Sequence, residues 1–266
     1  MQMGKIKQFF GRRSSWSIPY LIFMLIFVVL PLVLVVLYAF RDPAGNFTFA
    51  NVRTFINERE SVNTLVYSIG IALITTIICI LLGYPAAYIL SRTKFRNASV
   101  MVALFLIPMF INVLMRTLAT VALFGFIKVP LGQATLIFGM VYNYLPFMIL
   151  PIYTVLQKLD KSYIEAAQDL GANGFKVFTK VTLPLSMPGV VSGIMMVFMP
   201  TISTFAIAEL LTMNNIKLFG TVIQENINNG MWNYGALLSL IMLILIVVTN
   251  LFNDEKEEAS AAGGLV

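Results

Sequence analysis

EAAQDLGANGFKVFTKVTLP, residues 165–184, is a polar, glycine-broken stretch between two long apolar runs. It carries Glu165, Asp169, Lys176 and Lys180 in a chain of 266 residues that is 59% hydrophobic and only 11% charged. Just before it, Ser162-Tyr163-Ile164-Glu165 fits a capping box, in which the Ser side chain accepts from the backbone N–H three residues on and the Glu reaches back. A short helix is expected over 163–170, with Gly171 as the left-handed residue that ends it. Asn173 can cap a second short helix, in which Phe175, Phe178 and Val181 fall at i, i+3 and i+6 as an apolar ridge. Pro184 is expected to end that helix and begin the next apolar run. The stretch predicts a helix-turn-helix, with Ala166 and Ala167 small enough to let another surface approach closely.

The flanking runs set the fold class. A mean hydropathy of +0.87 exceeds what a soluble fold carries. Crossing a hydrocarbon core of about 30 Å takes about 20 helical residues. Six runs qualify, near 18–40, 64–90, 99–127, 134–157, 188–213 and 234–252. The expected architecture is an all-α membrane protein, a six-helix polytopic bundle over residues 17–252 with a loop at 158–184. A short N-terminal segment, 1–16, precedes it, and a flexible acidic tail, 253–266, follows. Pro31, Pro108, Pro146, Pro151 and Pro200 lie inside the runs. Neighbouring helices can re-satisfy the backbone groups that a proline frees, so these residues predict kinks in packed helices. The basic start followed by an apolar run looks like a secretory signal, but 23 uncharged residues are too long for one and no A-x-A site follows. It reads as a retained first span.

Orientation follows from Lys and Arg, which accumulate on the cytoplasmic side. Lys5, Lys7, Arg12, Arg13, Arg92, Lys94, Arg96, Lys158, Lys161, Lys176, Lys180 and Lys256 fall on one side of this layout. Arg41, Arg53, Arg59, Lys128 and Lys217 fall on the other. Both termini and the 158–184 loop are therefore expected in the cytoplasm. The same distribution accounts for the formal net charge of +6 by topology, without a nucleic-acid partner.

Composition removes several chemistries. Histidine is absent, which takes away the usual general base and the commonest metal ligand. Cys79 is the single cysteine, so neither a disulfide framework nor a cysteine metal site is available within the chain. No G-x-x-x-x-G-K followed by Ser or Thr occurs, so there is no P-loop to cradle ATP phosphates. If ATP drives this protein, another subunit binds it. Neither a metal nor a cofactor is expected.

Glu165-Ala166-Ala167, then Gly171, then Leu183-Pro184 resembles the EAA motif of binding-protein-dependent ABC importer permeases, and the 11 residues between Gly171 and Leu183 fit its spacing. LGYPAAYIL (82–90), LPFMILPIYTVLQKLDKSYIEAAQDLGA (145–172) and LPLSMPGVVSG (183–193) resemble the B-type permeases of spermidine/putrescine importers. The resemblance covers about residues 17–252 and implies the ABC importer permease (MetI-like) fold. It also implies that the 158–184 loop is a coupling element seated on a dimer of separate ATP-binding subunits. The partners it implies are a second permease subunit, an extracytoplasmic solute-binding protein and a polyamine substrate, in the plasma (inner) membrane of a bacterium.

Two charges fall within the spans, Arg116 and Glu209. A charge in hydrocarbon costs roughly 2.5 to 3.5 kcal/mol even on insertion scales, so each should face the bundle interior or a wet cavity. At about 1.5 Å per residue, Arg116 lies roughly 25 Å and Glu209 roughly 30 Å from the start of its span, so both are expected in the outer half of the membrane. Two readings stay open. Arg116 and Glu209 either neutralise each other or snorkel to the interface. Alternatively, Glu209, Tyr142, Asn143 and Tyr144 line the route of a cation, with Arg116 shaping the field or gating. GVVSG, 189–193, reads as a small-residue pattern that permits close helix packing. The leading expectation is an importer permease that makes and breaks no bonds. An ion-gradient carrier or channel is second, weakened by the scarcity of acids in the spans, and an enzyme is third, since the nucleophiles have no visible base.

Overall fold

The computed structural model describes residues 18–92 and 98–263. The segment 1–16 and the loop residues Lys94 and Arg96 lie outside the described residues. The helices are α1 (Ile18–Met24), a π-helical turn (Leu25–Val29), α2 (Leu30–Ala39), α3 (Ala50–Asn57) and α4 (Arg59–Arg92). There follow α5 (Ala98–Phe110), α6 (Val113–Phe126), α7 (Gln133–Lys158), α8 (Lys161–Asp169) and α9 (Gly174–Val177). A second π-helical turn (Phe178–Thr182) leads into α10 (Leu183–Ser203), then α11 (Ala206–Thr212), α12 (Phe219–Asn228) and α13 (Trp232–Gly263).

Among the described residues, five helices are long and apolar enough to cross a membrane, and six if the bent pair α5 and α6 counts as one span. In that pair the kink expected at Pro108 is a full break, since its halves meet at 99°. Pro108 has no N–H to continue the ladder, and two residues after α5 ends the Asn112 side chain accepts the Leu114 N–H at 2.8 Å, capping a new helix. The fifth span is also redrawn. It runs unbroken from Gly174 to Ser203, stops at an extended Thr204, and leaves Glu209 on the separate short helix α11. Distances counted along straight spans therefore do not hold for Arg116 or Glu209. At the carboxyl end, helical backbone continues through Gly263 where a flexible tail was expected.

Contacts divide the chain into two units. One comprises the residues up to Glu58 with Glu225–Leu243. Its α1–α2 run turns almost all of its side chains outward, as a lipid- or subunit-facing helix does. The turn after it is closed by an antiparallel bridge between Arg41 and Phe47 and by packing of Phe40, Phe47 and Phe49. Asn51 Nδ2 donates to the Ala39 and Arg41 carbonyls at 2.9 and 3.1 Å, and Asn233 Nδ2 donates to the Arg41 carbonyl at 2.9 Å.

The other unit holds Arg59–Gln224 and the chain from Ile244 onward. Its centre is α7, which packs against α4, α5, α6, α10 and α11. Leu136, Met140, Met148, Ile149 and Ile152 of α7 are buried. The close approach of α10 depends on two glycines. A Cβ at Gly189 would stand 2.9 Å from the Pro151 carbonyl oxygen, and one at Gly193 would stand 2.7 Å from Met148 Sδ. The 189–193 pattern therefore serves packing, as read from the sequence.

Candidate functional site

Two features stand out in the second unit: the 158–184 loop and a polar group around Arg116. In the loop, helix α8 begins two residues earlier than the capping box implies. Its N-cap is Asp160, whose carboxylate accepts the Ser162 N–H at 2.9 Å. That bond holds the Asp160 carboxyl below the usual carboxylate range. Glu165 is therefore mid-helix and exposed rather than a capping partner. An Asp directly after the end of a long helix is itself an N-cap signal, and the more familiar Ser-x-x-Glu spacing masked it.

The rest of the loop follows the sequence more closely. Gly171 ends α8 at φ +79°, and the Asn173 side chain accepts the Lys176 N–H at 2.9 Å at the start of α9. Ala166 is exposed and Ala167 half-buried. Pro184 does not end the second helix, since a π-helical turn carries the chain unbroken into α10. The wider i→i+5 pattern closes with the Leu183 N–H donated to the Phe178 carbonyl, one residue before the proline that has no N–H to give. Leu183 packs on the core while Pro184 is exposed. The expected ridge is split: Phe175 is 75% exposed, whereas Phe178 packs against the core. With Leu170 89% exposed and Tyr163 exposed as well, the loop presents large apolar side chains outward.

Around Arg116, α11 packs on both α6 and α7, the helices that carry Arg116 and the 142–144 stretch. Arg116 is buried, with Nε and Nη1 lacking a hydrogen-bond partner among the described residues, and the phenols of Tyr142 and Tyr144 are the titratable groups that bear on it. Glu209 is exposed, and among the described residues no ion pair joins it to Arg116. Among the described residues the neutralising pair is absent, and the arginine is buried rather than extended outward. Tyr142 is partly exposed, whereas Tyr144 is buried and its hydroxyl donates to the Pro200 carbonyl at 3.4 Å. Asn143 is buried too, giving a hydrogen bond to the Gly139 carbonyl at 2.8 Å while its Oδ1 has no partner. Of the three adjacent residues, Tyr142 alone offers substantial surface.

The fold defines a class. The chain superposes on a chain of a bacterial ABC transporter involved in import of the acidic polysaccharide alginate, with a TM-score of 0.72 and 16% identity, covering 97% of this chain and 99% of that one. It matches a chain of the inward-facing MetNI methionine ABC transporter with a TM-score of 0.60 and 17% identity, covering 75% and 95%. This is the fold of ABC importer permeases. Residues 80–254 match the family described as binding-protein-dependent transport system inner membrane component, and the chain belongs to that family. It is 33% identical to the spermidine/putrescine transport system permease protein PotB of Haemophilus influenzae over 85% of this chain and 87% of the relative. It is 31% identical to PotB of Escherichia coli K12, covering 84% and 90%, and 22% identical to PotC of the same organism, covering 84% and 86%. The protein is thus a multi-pass inner-membrane, non-catalytic subunit of an ABC importer, and the ion-gradient and enzyme readings fall away.

Proposed function

We propose that this permease forms part of the translocation route for a polyamine, spermidine or putrescine, driven by ATP hydrolysis in a separate subunit. The observation that carries the substrate is the likeness to PotB along most of both chains. The chemistry is consistent with it. Glu209 and Tyr142 are exposed acidic and aromatic groups of the kind an ammonium needs when it loses hydration. One acid cannot compensate a dication or trication, so a second permease subunit must bring further carboxylates. In this reading Arg116, whose Nε and Nη1 have no hydrogen-bond partner among the described residues, sets a positive field beside the route and keeps cation binding transient.

The 158–184 loop is the docking element for a dimer of ATP-binding subunits, through exposed Glu165, Ala166, Leu170 and Phe175. The excess of Lys and Arg on its side of the layout supports a cytoplasmic position for it and for both termini. Opposite it, the chain meets an extracytoplasmic solute-binding protein. A permease for another small solute with the same loop is the second reading, because the loop specifies coupling and not cargo.

Uptake of radiolabelled spermidine by cells with and without the chain tests the cargo, with putrescine, thiamine and amino acids as competitors. Uptake that depends on the chain and is competed by putrescine is expected. If polyamines neither enter nor compete, the cargo is another solute.

A further inference from the structure

Phe178 opens the π-helical turn between α9 and α10, and its ring is set edge-on between two tyrosines of α4. Ring centroids are 5.8 Å apart for Tyr84 and 5.5 Å for Tyr88, with interplanar angles of 83° and 89°. Tyr84 and Tyr88 are four residues apart on a helix, so they share one face. Polar ties flank the rings. Ser186 gives its proton to the Leu183 carbonyl at 2.9 Å, so its 2.8 Å contact with Tyr84 is a donation from the phenol. At the other end, the Arg92 guanidinium lies 4.6 Å over the Tyr88 ring and donates to Thr182 Oγ1 at 3.4 Å. Val177 and Thr182 are buried beside these contacts, whereas Phe175 is exposed. The segment 174–182 therefore has an open outer end and an inner end fixed on α4.

We propose that Phe178, held between Tyr84 and Tyr88, is the joint through which displacement of the 158–184 loop is passed to α4. This rests on the reading that the loop docks on an ATPase subunit. Movement of the loop reaches α10 through the continuous backbone. It reaches α4 only across non-covalent contacts, and these must resist sliding. Edge-to-face rings have a preferred geometry that plain aliphatic packing lacks, and the Arg92 bond fixes the register along α4. The π-helical turn is the place where the connecting helix can rewind while the ring stays seated. Phe178 is thus a positioning residue for transport.

The test uses the complete transporter, this chain with its second permease, ATPase subunits and binding protein. Nitroxides are placed at Lys161→Cys in α8 and Ile89→Cys in α4, both exposed positions, while Cys79 is buried. Double electron–electron resonance reads their separation without nucleotide and with ATP and vanadate. In the wild-type background the separation is expected to stay constant, because α4 travels with the loop. In Phe178→Ala and in Tyr88→Leu it should match wild type without nucleotide but shift by about 2 Å or more with it, the scale of helix shifts in switching proteins. Phe178→Tyr should restore the constant separation.

Distributions identical to wild type in both states would overturn the joint. So would variants already altered without nucleotide, which would make the contact purely structural, or variants that no longer retain the ATPase subunit on purification. If the wild-type chain itself retains no ATPase subunit, the docking reading fails, and the joint falls with it.

Discussion

Ser68 accepts the backbone N–H of Phe219 at 2.7 Å while donating to the Thr64 carbonyl at the same distance, joining residues 151 positions apart in sequence. Ser68 is buried, so no water replaces it. Ser68→Ala leaves a buried N–H without that acceptor, at a cost of about 1 to 3 kcal/mol. A lowered melting temperature of the detergent-purified protein is expected, and an unchanged one would show that Phe219 has an alternative acceptor.

Gly189 and Gly125 make a matched pair. Gly189→Ala places a Cβ against backbone atoms of α7, Pro151 oxygen at 2.9 Å and Ile152 Cα at 3.1 Å, while a Cβ at Gly125 meets nothing within 4 Å. Overpacking of this kind costs typically about 1 to 3 kcal/mol, whereas Gly125→Ala should be neutral or stabilising by up to about 1 kcal/mol. Thermal melting of the two variants should separate them. Equal melting temperatures would mean that α10 is free to move away from α7.

Gly171 is required for its backbone angle rather than for space, since φ is +79° and nothing lies within 4 Å of a Cβ there. Gly171→Val should distort the end of α8 and reduce the ATPase subunit recovered with the permease. Gly171→Asn, which tolerates the left-handed conformation, should reduce it far less. Equal recovery in both would remove the loop conformation from docking.

Asp160 gives the loop a pH dependence. Its carboxyl is held below the usual carboxylate range by the Ser162 N–H, so the folded state binds its proton more weakly than the unfolded state. Its contribution to α8 is therefore complete above the unfolded carboxylate pKa and is lost as pH falls through the lower folded value. Amide protection at Ser162 should drop over that acidic window, and Asp160→Ala should flatten the profile. A profile unchanged in Asp160→Ala would assign the dependence to another group.

Arg116 separates stability from transport. A buried guanidinium with two unpartnered nitrogens is a burden on the fold, so Arg116→Met should leave the melting temperature unchanged or raised, by up to about 4 kcal/mol in stability. Uptake should change nonetheless if the charge shapes the route. A fall in melting temperature with normal uptake would make Arg116 a structural residue.

The sequence by itself determined the membrane class, the positions of most spans, the Gly171 stop, the Asn173 cap and the packing use of Gly189 and Gly193. These follow from hydropathy, backbone conformational preference and side-chain size, all of which act over a few residues. Only the tertiary structure decided that the third span bends by 99°, that Asp160 rather than Ser162 caps α8, and that Pro184 is passed without a break. It also decided that Arg116 and Glu209 form no ion pair among the described residues and that Phe178 turns inward to Tyr84 and Tyr88 while Phe175 stays out. In each case local rules allow more than one outcome: a proline can kink a helix, widen it or end it, and a charge can pair or stay alone. The choice among them is made by residues distant in sequence that compete for the same space and the same hydrogen bonds.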